Sequence, residues 1–581
     1  MGLMTGSLVK LGAILRLNPN QIYGHIRRRL RNRIVPRFAQ GYRAGLEAAA
    51  ETMPAFAPAP GVRALAEMIT DFYEAEYADT IPGCYDGRFR LMNKTVDFGS
   101  ADTIDWRIAA DEGARQIWRS NLSQMGYLPV AARQDAERAL VYASRLVTNF
   151  AAAAKFENSG DFVEIWHPYI ASRRVLSLLS LLVIAPDHLH GTDDWQTIWK
   201  FVRFNVAYVQ RNLEIDLGFN HLERNLACLA LFYLCCEHTP DGIEPILSAQ
   251  FDPIVRHTVC DDGVPKERSG MYHALTIESF RIYRELPFWS EQQRKLLEAR
   301  LVQLETALAA LTLGDGYPVM FNDAWLGENP TTRAIIGDRE IGFHAMPEGG
   351  YVRLAGQDWI VVMDAGPIGP NENPGHGHAD YLSIEASVGA QRLIVDPGTL
   401  LYTAGALRNE LRSWEAHNGP CIVGARPVTF VDSFKVGKHA AASFETIENR
   451  ADAQRASGVL AFDAYRVSRD VRLAGDTLAV TDRWSGPGAR QSRFLIPKSW
   501  ALTREPDSIV LRNENNIVTL TWAECADVSV NSSNWSLYYR INEEAHEFVF
   551  QPKDDVTSLT FQTASLTTGL DDSRKLQRSA L

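Results

Sequence analysis

Two histidines separated by one glycine stand in a Gly/Pro-rich loop, Pro370-Asn371-Glu372-Asn373-Pro374-Gly375-His376-Gly377-His378-Ala379-Asp380. Asp396-Pro397-Gly398-Thr399 and Glu415-Ala416-His417-Asn418-Gly419 follow downstream. Imidazole and carboxylate are ligands that zinc accepts, and a set without thiolates suits structural or catalytic use. Tyr381 to Ser387 and Arg392 to Val395 read as two strands around a turn at Gly389-Ala390. Folding that hairpin sets Asp396 roughly opposite Ser383, about five residues along from His378, so the ligands can meet. The plainer alternative is a set of loop histidines without a metal.

The first half of the chain offers two more places. In Leu217-Gly218-Phe219-Asn220-His221 an Asn-His pair opens an apolar helix, where such a pair commonly serves as a cap. In Asp261-Asp262-Gly263-Val264-Pro265-Lys266-Glu267-Arg268-Ser269-Gly270-Met271-Tyr272-His273-Ala274 a Gly-bearing turn runs into a helix that displays Tyr272 and His273. A lone tyrosine usually packs with its hydroxyl satisfied.

Together, Gly-His-Gly-His-Ala-Asp, Asp-Pro-Gly-Thr, Ala-His-Asn, the Asn-His segment and Glu-Arg-Ser-x-x-Tyr-His resemble the signatures of the heparinase II/III superfamily of polysaccharide lyases. The departure is Phe219, inserted between Gly218 and Asn220 where relatives run Gly-Asn-His directly. The resemblance spans about Ile104 to Leu520. It implies that Tyr272, His376, Asn220 and His221 are catalytic, with Arg268, His273 and Glu267 beside the substrate. It further implies that His378, Asp396 and His417 hold a structural zinc ion in the second half; His439 is the fallback for the third ligand.

These residues need two kinds of scaffold. From Gly61 to about Leu313 apolar residues recur at three and four, as in Leu65-Ala66-Met68-Ile69-Phe72-Tyr73 and Val175-Leu178-Leu179-Leu182, which predicts successive helices. From Gly349 to about Gln562 short β-rich segments alternate with Gly, Pro, Asn or Asp, which predicts an antiparallel sandwich. The expected fold class is α+β and multidomain: an N-terminal α/α toroid followed by a C-terminal antiparallel β-sandwich, as the resemblance also implies. The expected divisions are a basic segment and linker at 1–60, the toroid at 61–340, the sandwich at 341–564 and a polar tail at 565–581. The run Arg27-Arg28-Arg29-Leu30-Arg31-Asn32-Arg33 reads as a solvated helix face, with a membrane or an acidic partner as the alternative.

With 581 residues the chain exceeds what one hydrophobic core serves. A formal charge of −11 argues against a nucleic-acid-binding surface and is awkward for an enzyme acting on a polyanion, although local basic clefts remain compatible with it. Seven cysteines without a Cys-x-x-Cys pair argue against a disulfide framework. The apolar run Leu8 to Leu15 precedes its basic cluster, the wrong order for a secretory signal, and Val175 to Ile184 is too short to span a bilayer. The expected compartment is cytoplasmic, with the periplasm left open; the expected partner is an acidic polysaccharide or oligosaccharide, and a homodimer is compatible with the sequence.

The function implied is β-elimination at a uronic acid, with Tyr272 as base and acid, His376 as second acid/base or orienter, and Asn220 and His221 neutralising the carboxylate. Arg268 and His376 would help the phenol of Tyr272 toward phenolate. A uronate C5-epimerase and a non-catalytic glycan-binding protein are the alternatives on the same fold. A glycoside hydrolase needs two carboxylates flanking the bond, and nothing in the motifs pairs Glu267 with Asp323.

Overall fold

The computed structural model describes residues 18–112 and 116–564. The apolar run Leu8 to Leu15 and the polar tail 565–581 lie outside the described residues.

A helical N-terminal region is followed by antiparallel sheets, as the change of period predicts. The last helix of the helical region, Thr332–Ile336, gives way to the first strand of the second half at His344–Met346, and one short helix, Ala406–Leu411, lies among the later strands. In the helical region the inner helices Val62–Tyr77, Pro168–Ile184, Phe219–Leu234 and Gly270–Arg284 pack on one another. Ala136–Ala153, Asp193–Arg211, Ile243–Val255 and Glu291–Ala310 lie behind them. Pattern decides the layer. Pro168–Ile184 is apolar around most of its circumference and nearly all of it is buried, whereas Ala136–Ala153 buries a stripe formed by Ala139, Leu140, Ala143, Leu146, Val147 and Phe150. Each fully buried Leu or Val of the inner layer contributes about 1.5–3 kcal/mol.

The N-terminal helix Pro19–Ile34 starts with a capping box between Asn18 and Gln21. The solvated face expected of its arginines forms in part, with Arg27, Arg29 and Arg33 exposed. Arg28 pairs with Asp216 at 2.7 Å and Arg31 donates to Asn212 Oδ1 at 3.2 Å, so the basic side is partly spent on docking the helix to the helical region. The residues left exposed include Ile22, Ile26, Leu30 and Ile34.

The second half stacks a five-stranded sheet, an eight-stranded sheet and a four-stranded sheet, with a separate two-stranded ribbon at 428–439. Val352, Val361 and Ile384 of the five-stranded sheet share one core with Leu460, Val467, Val480 and Phe494 of the others. The predicted hairpin is present as Ile384–Val388 paired with Gln391–Ile394, Ser387 opposite Arg392, turning at Gly389 with φ 55°. Its first strand begins later than expected because Leu382 adopts φ 62°, a left-handed conformation that interrupts extended backbone. That kink turns the chain between His378 and the strand.

The two halves are joined by more than a linker. Val395, Tyr402, Leu495 and Trp535 of the second half belong to the core cluster of the helical region. Among the described residues no helix is long and apolar enough to cross a membrane.

Candidate active site

Gly218 (φ 64°) and Phe219 (φ 42°) both take positive φ at the start of the Phe219–Leu234 helix. This left-handed step absorbs the extra phenylalanine of the motif, at a cost of order 1–3 kcal/mol for the non-glycine residue. It leaves Asn220 and His221 in the first helical turn. The Asn220 amide donates to Glu267 Oε2 at 3.1 Å, while the side-chain oxygen of Asn220 is buried without a hydrogen-bond partner.

Ser269 caps the helix Gly270–Arg284, its hydroxyl accepting from the Tyr272 amide at 3.3 Å. One turn in, the ring of Tyr272 lies 4.3 Å from the ring of His376, which arrives from the second half. The Tyr272 hydroxyl is 3.2 Å from that of Tyr402.

Asp323 organises this junction, a role the sequence reading did not assign to it. Its carboxylate faces His376 Nδ1 at 3.0 Å, His378 Nε2 at 3.0 Å and the Arg408 guanidinium at 2.6 Å. It is fully buried, and burial alone would raise its pKa. The Arg408 cation and the hydrogen bonds from the two histidines overcome that and hold the carboxyl well below the usual range. Neighbouring Asn322, at φ 63°, accepts from the His378 amide at 2.9 Å and donates to the Arg268 carbonyl at 3.0 Å. The segment 322–323 thus ties the Tyr272 turn to the His376 loop.

Burial lowers the pKa of His376 below its ordinary value although Asp323 opposes the shift. With its Nδ1 proton committed to Asp323, neutral His376 keeps the Nε2 lone pair. Tyr272 is pushed the other way: burial, then the charges of Tyr169 and Asp323, raise its phenol well above 10. Glu267, its Oε1 3.8 Å from His376 Nε2, is raised well above the usual carboxylate range by burial and by Glu223.

Not every expected substrate contact reaches the junction. The Arg268 guanidinium donates to the carbonyls of Gly349, Lys266 and Glu348 at 3.0, 3.0 and 3.1 Å, so it ties the two halves together. His273 is fully buried and pairs with the Leu304 carbonyl at 2.8 Å, which leaves it no face for a glycan. Its place in the motif follows from the helix period: one residue beyond Tyr272, it falls on a different face.

In the second half His378, Asp396 and His417 bring ligand atoms within 4.8 Å of one another, all three residues buried. His417 Nδ1 lies 2.7 Å from Asp396 Oδ2. His439 sits instead on the ribbon strand Lys435–His439, opposite Val428. His378 Nδ1 and His417 Nε2 are buried nitrogens without hydrogen-bond partners. An imidazole that gives one nitrogen to a carboxylate and keeps the other unpartnered is the arrangement of a metal ligand, and two imidazoles with a carboxylate suit zinc.

Fold and site together describe a helical region and layered sheets that meet at a Tyr-His-Asp cluster, with a buried His-Asp-His set behind it. Residues 338–570 match the family model described as heparinase II/III-like, C-terminal. No curated protein matches the sequence. Among solved structures, heparinase III is similar over 95% of this chain and 94% of its own, with a TM-score of 0.64 at 14% identity. A mutant of heparan sulfate lyase HepC from Pedobacter heparinus is similar over 91% of this chain and 89% of its own, with a TM-score of 0.54 at 16% identity. The resemblance drawn from the motifs is thus accompanied by a family-model match over the second half and by a likeness of fold over both halves.

Proposed function

We propose that the protein is a polysaccharide lyase that cleaves a uronate-containing glycan, of the glycosaminoglycan type, by β-elimination. The observation that carries this reading is the pairing of Tyr272 with His376 across the domain boundary, His376 held by Asp323 through Nδ1. Heparinase III and a heparan sulfate lyase on the same fold lend it support.

The substrate carboxylate is received at Asn220, whose buried side-chain oxygen lacks a partner, and at His221 beside it; the amide orientation reverses freely, so the NH₂ can face the carboxylate. Glu267, protonated, adds a donor. These groups hold the charge that develops as the C5–H bond breaks. His376 Nε2 takes the C5 proton, the C–H electron pair forms the C4–C5 double bond, and the C4–O bond breaks. Tyr272 gives its phenolic proton to the departing glycosidic oxygen. Of the roles expected from sequence, this leaves Tyr272 the acid and makes His376 the base, because burial favours the protonated phenol and the neutral imidazole. His378, Asp396 and His417 would hold zinc; when bound it supplies a fixed cross-link that keeps His378 against Asp323.

The test is the ultraviolet absorbance of unsaturated uronate over a panel of uronate polymers at varied pH, with wild type and Tyr272→Phe. His376 loses its lone pair as pH falls through its lowered pKa, so kcat/KM should fall only below about pH 6.5. It should stay level up to about pH 9, because Tyr272 holds its proton there. A rate that instead climbs with pH toward 10 would return the base role to tyrosine. Tyr272→Phe should lower kcat by about 10²–10⁴-fold. No absorbance on any polymer, with solvent deuterium entering C5, would replace the lyase by the epimerase.

A further inference from the structure

We propose a second metal site, in the helical region, in which His167, Glu214 and His221 bind a divalent cation of the zinc or manganese class. The ligands come from three elements. His167 immediately precedes the helix Pro168–Ile184, Glu214 lies in the segment after Asp193–Arg211, and His221 is in the first turn of Phe219–Leu234. Their ligand atoms all lie within 4.8 Å of one another. One carboxylate oxygen, Glu214 Oε1, faces His167 Nδ1 at 3.2 Å and His221 Nδ1 at 3.0 Å.

The carboxylate is held in place from behind. Asn225, fully buried, donates to Glu214 Oε2 at 3.0 Å, accepts from the Glu214 amide at 2.8 Å, and donates to Ser172 Oγ at 3.1 Å. Oriented, buried carboxylates of this kind support metal ligands. Two imidazoles and a carboxylate without a thiolate suit zinc, and manganese among harder ions. Unlike the set in the second half, this one is open: the side chains of His167 and His221 are 19% and 28% exposed. Three protein ligands with an accessible side leave coordination positions for water or a substrate oxygen.

His221 follows Asn220 directly, and its ring lies 5.0 Å from that of Tyr169. A cation here stands beside the groups assigned to the uronate carboxylate, where it would take up that charge more fully than a neutral imidazole does. This role rests on the lyase reading; the existence of the site does not.

The test is metal binding by the full chain without substrate. Chelator-stripped protein is titrated with Zn²⁺ and separately with Mn²⁺ by calorimetry, and bound metal is counted after dialysis. Wild type should take up one more equivalent of Zn²⁺ than either Glu214→Gln or His167→Gln. His378→Ala should keep that equivalent. His167→Gln, at a partly exposed position, guards against misfolding of the Glu214 variant, and circular dichroism verifies both. Equal stoichiometry and affinity in wild type and the two variants would overturn the site whether or not elimination is observed. If the extra equivalent binds but no polymer yields unsaturated product, the lyase reading fails and the metal site stands.

Discussion

His378, Asp396 and His417 are buried to 1% or less of their side-chain surface, whereas His167 and His221 keep 19% and 28% in contact with solvent around a buried Glu214. The donor types are the same: two imidazoles and one carboxylate. Surroundings separate them. The first set lies under the layered sheets and is coupled through His378 to Asp323 and so to His376. In the second, His167 and His221 stand at two helix starts, Glu214 follows the end of a third helix, and the two imidazoles are partly exposed. The same donor types would suit the same ion at both places, and burial decides which of the two a solute could reach.

The coupling is broken most severely by Asp323→Asn. It leaves Arg408 buried without its counter-charge and deprives two histidines of their shared acceptor. We expect a loss of about 3–5 kcal/mol in urea unfolding and a fall in rate at least as large as that of Tyr272→Phe. Unchanged stability would show that the buried set and His376 are independent.

A chelator sharpens the contrast. Removing an ion from the buried set should cost about 2.7 kcal/mol of stability if the metal stands at a hundred times its Kd, seen as a lower Tm, and His378→Ala should abolish that sensitivity. Stripping the open set should lower the Tm by a separate amount fixed by its own Kd, and Glu214→Gln should abolish that part. Equal shifts in His378→Ala and wild type would assign the stabilising ion to the helical region.

The smallest effect on catalysis is expected from His273→Gln. Disturbing the buried bond to Leu304 should cost about 1–3 kcal/mol of stability, with KM for the glycan unchanged. A raised KM would bring His273 back among the substrate contacts.

Much of this protein was legible in sequence. The change from a three-to-four period to short β-rich runs located helices and sheets, because burial on one face imposes those periods locally. Two histidines one residue apart, an Asp-Pro-Gly and a later His-Asn named the buried set. Tyr272 and His376 were named through motif resemblance, and their rings meet. Other readings failed for physical reasons. Arg268 looked like a substrate cation, yet its donors close the gap between domains. His273 was expected beside the substrate, yet the next helical position faces inward.

Asp323 was visible only as a carboxylate without a partner, since its partners His376, His378 and Arg408 lie 53 to 85 residues away. His167 gave no signal for the same reason: its companions Glu214 and His221 come from other helix ends. Residue types and local period are properties of short stretches, and the sequence alone determined the two scaffolds and the kinds of side chain that meet between them. Which carboxylate orients which imidazole, which phenol keeps its proton, and which ligand set stays open depend on desolvation and on groups brought together over long separations, and those only the tertiary structure decided.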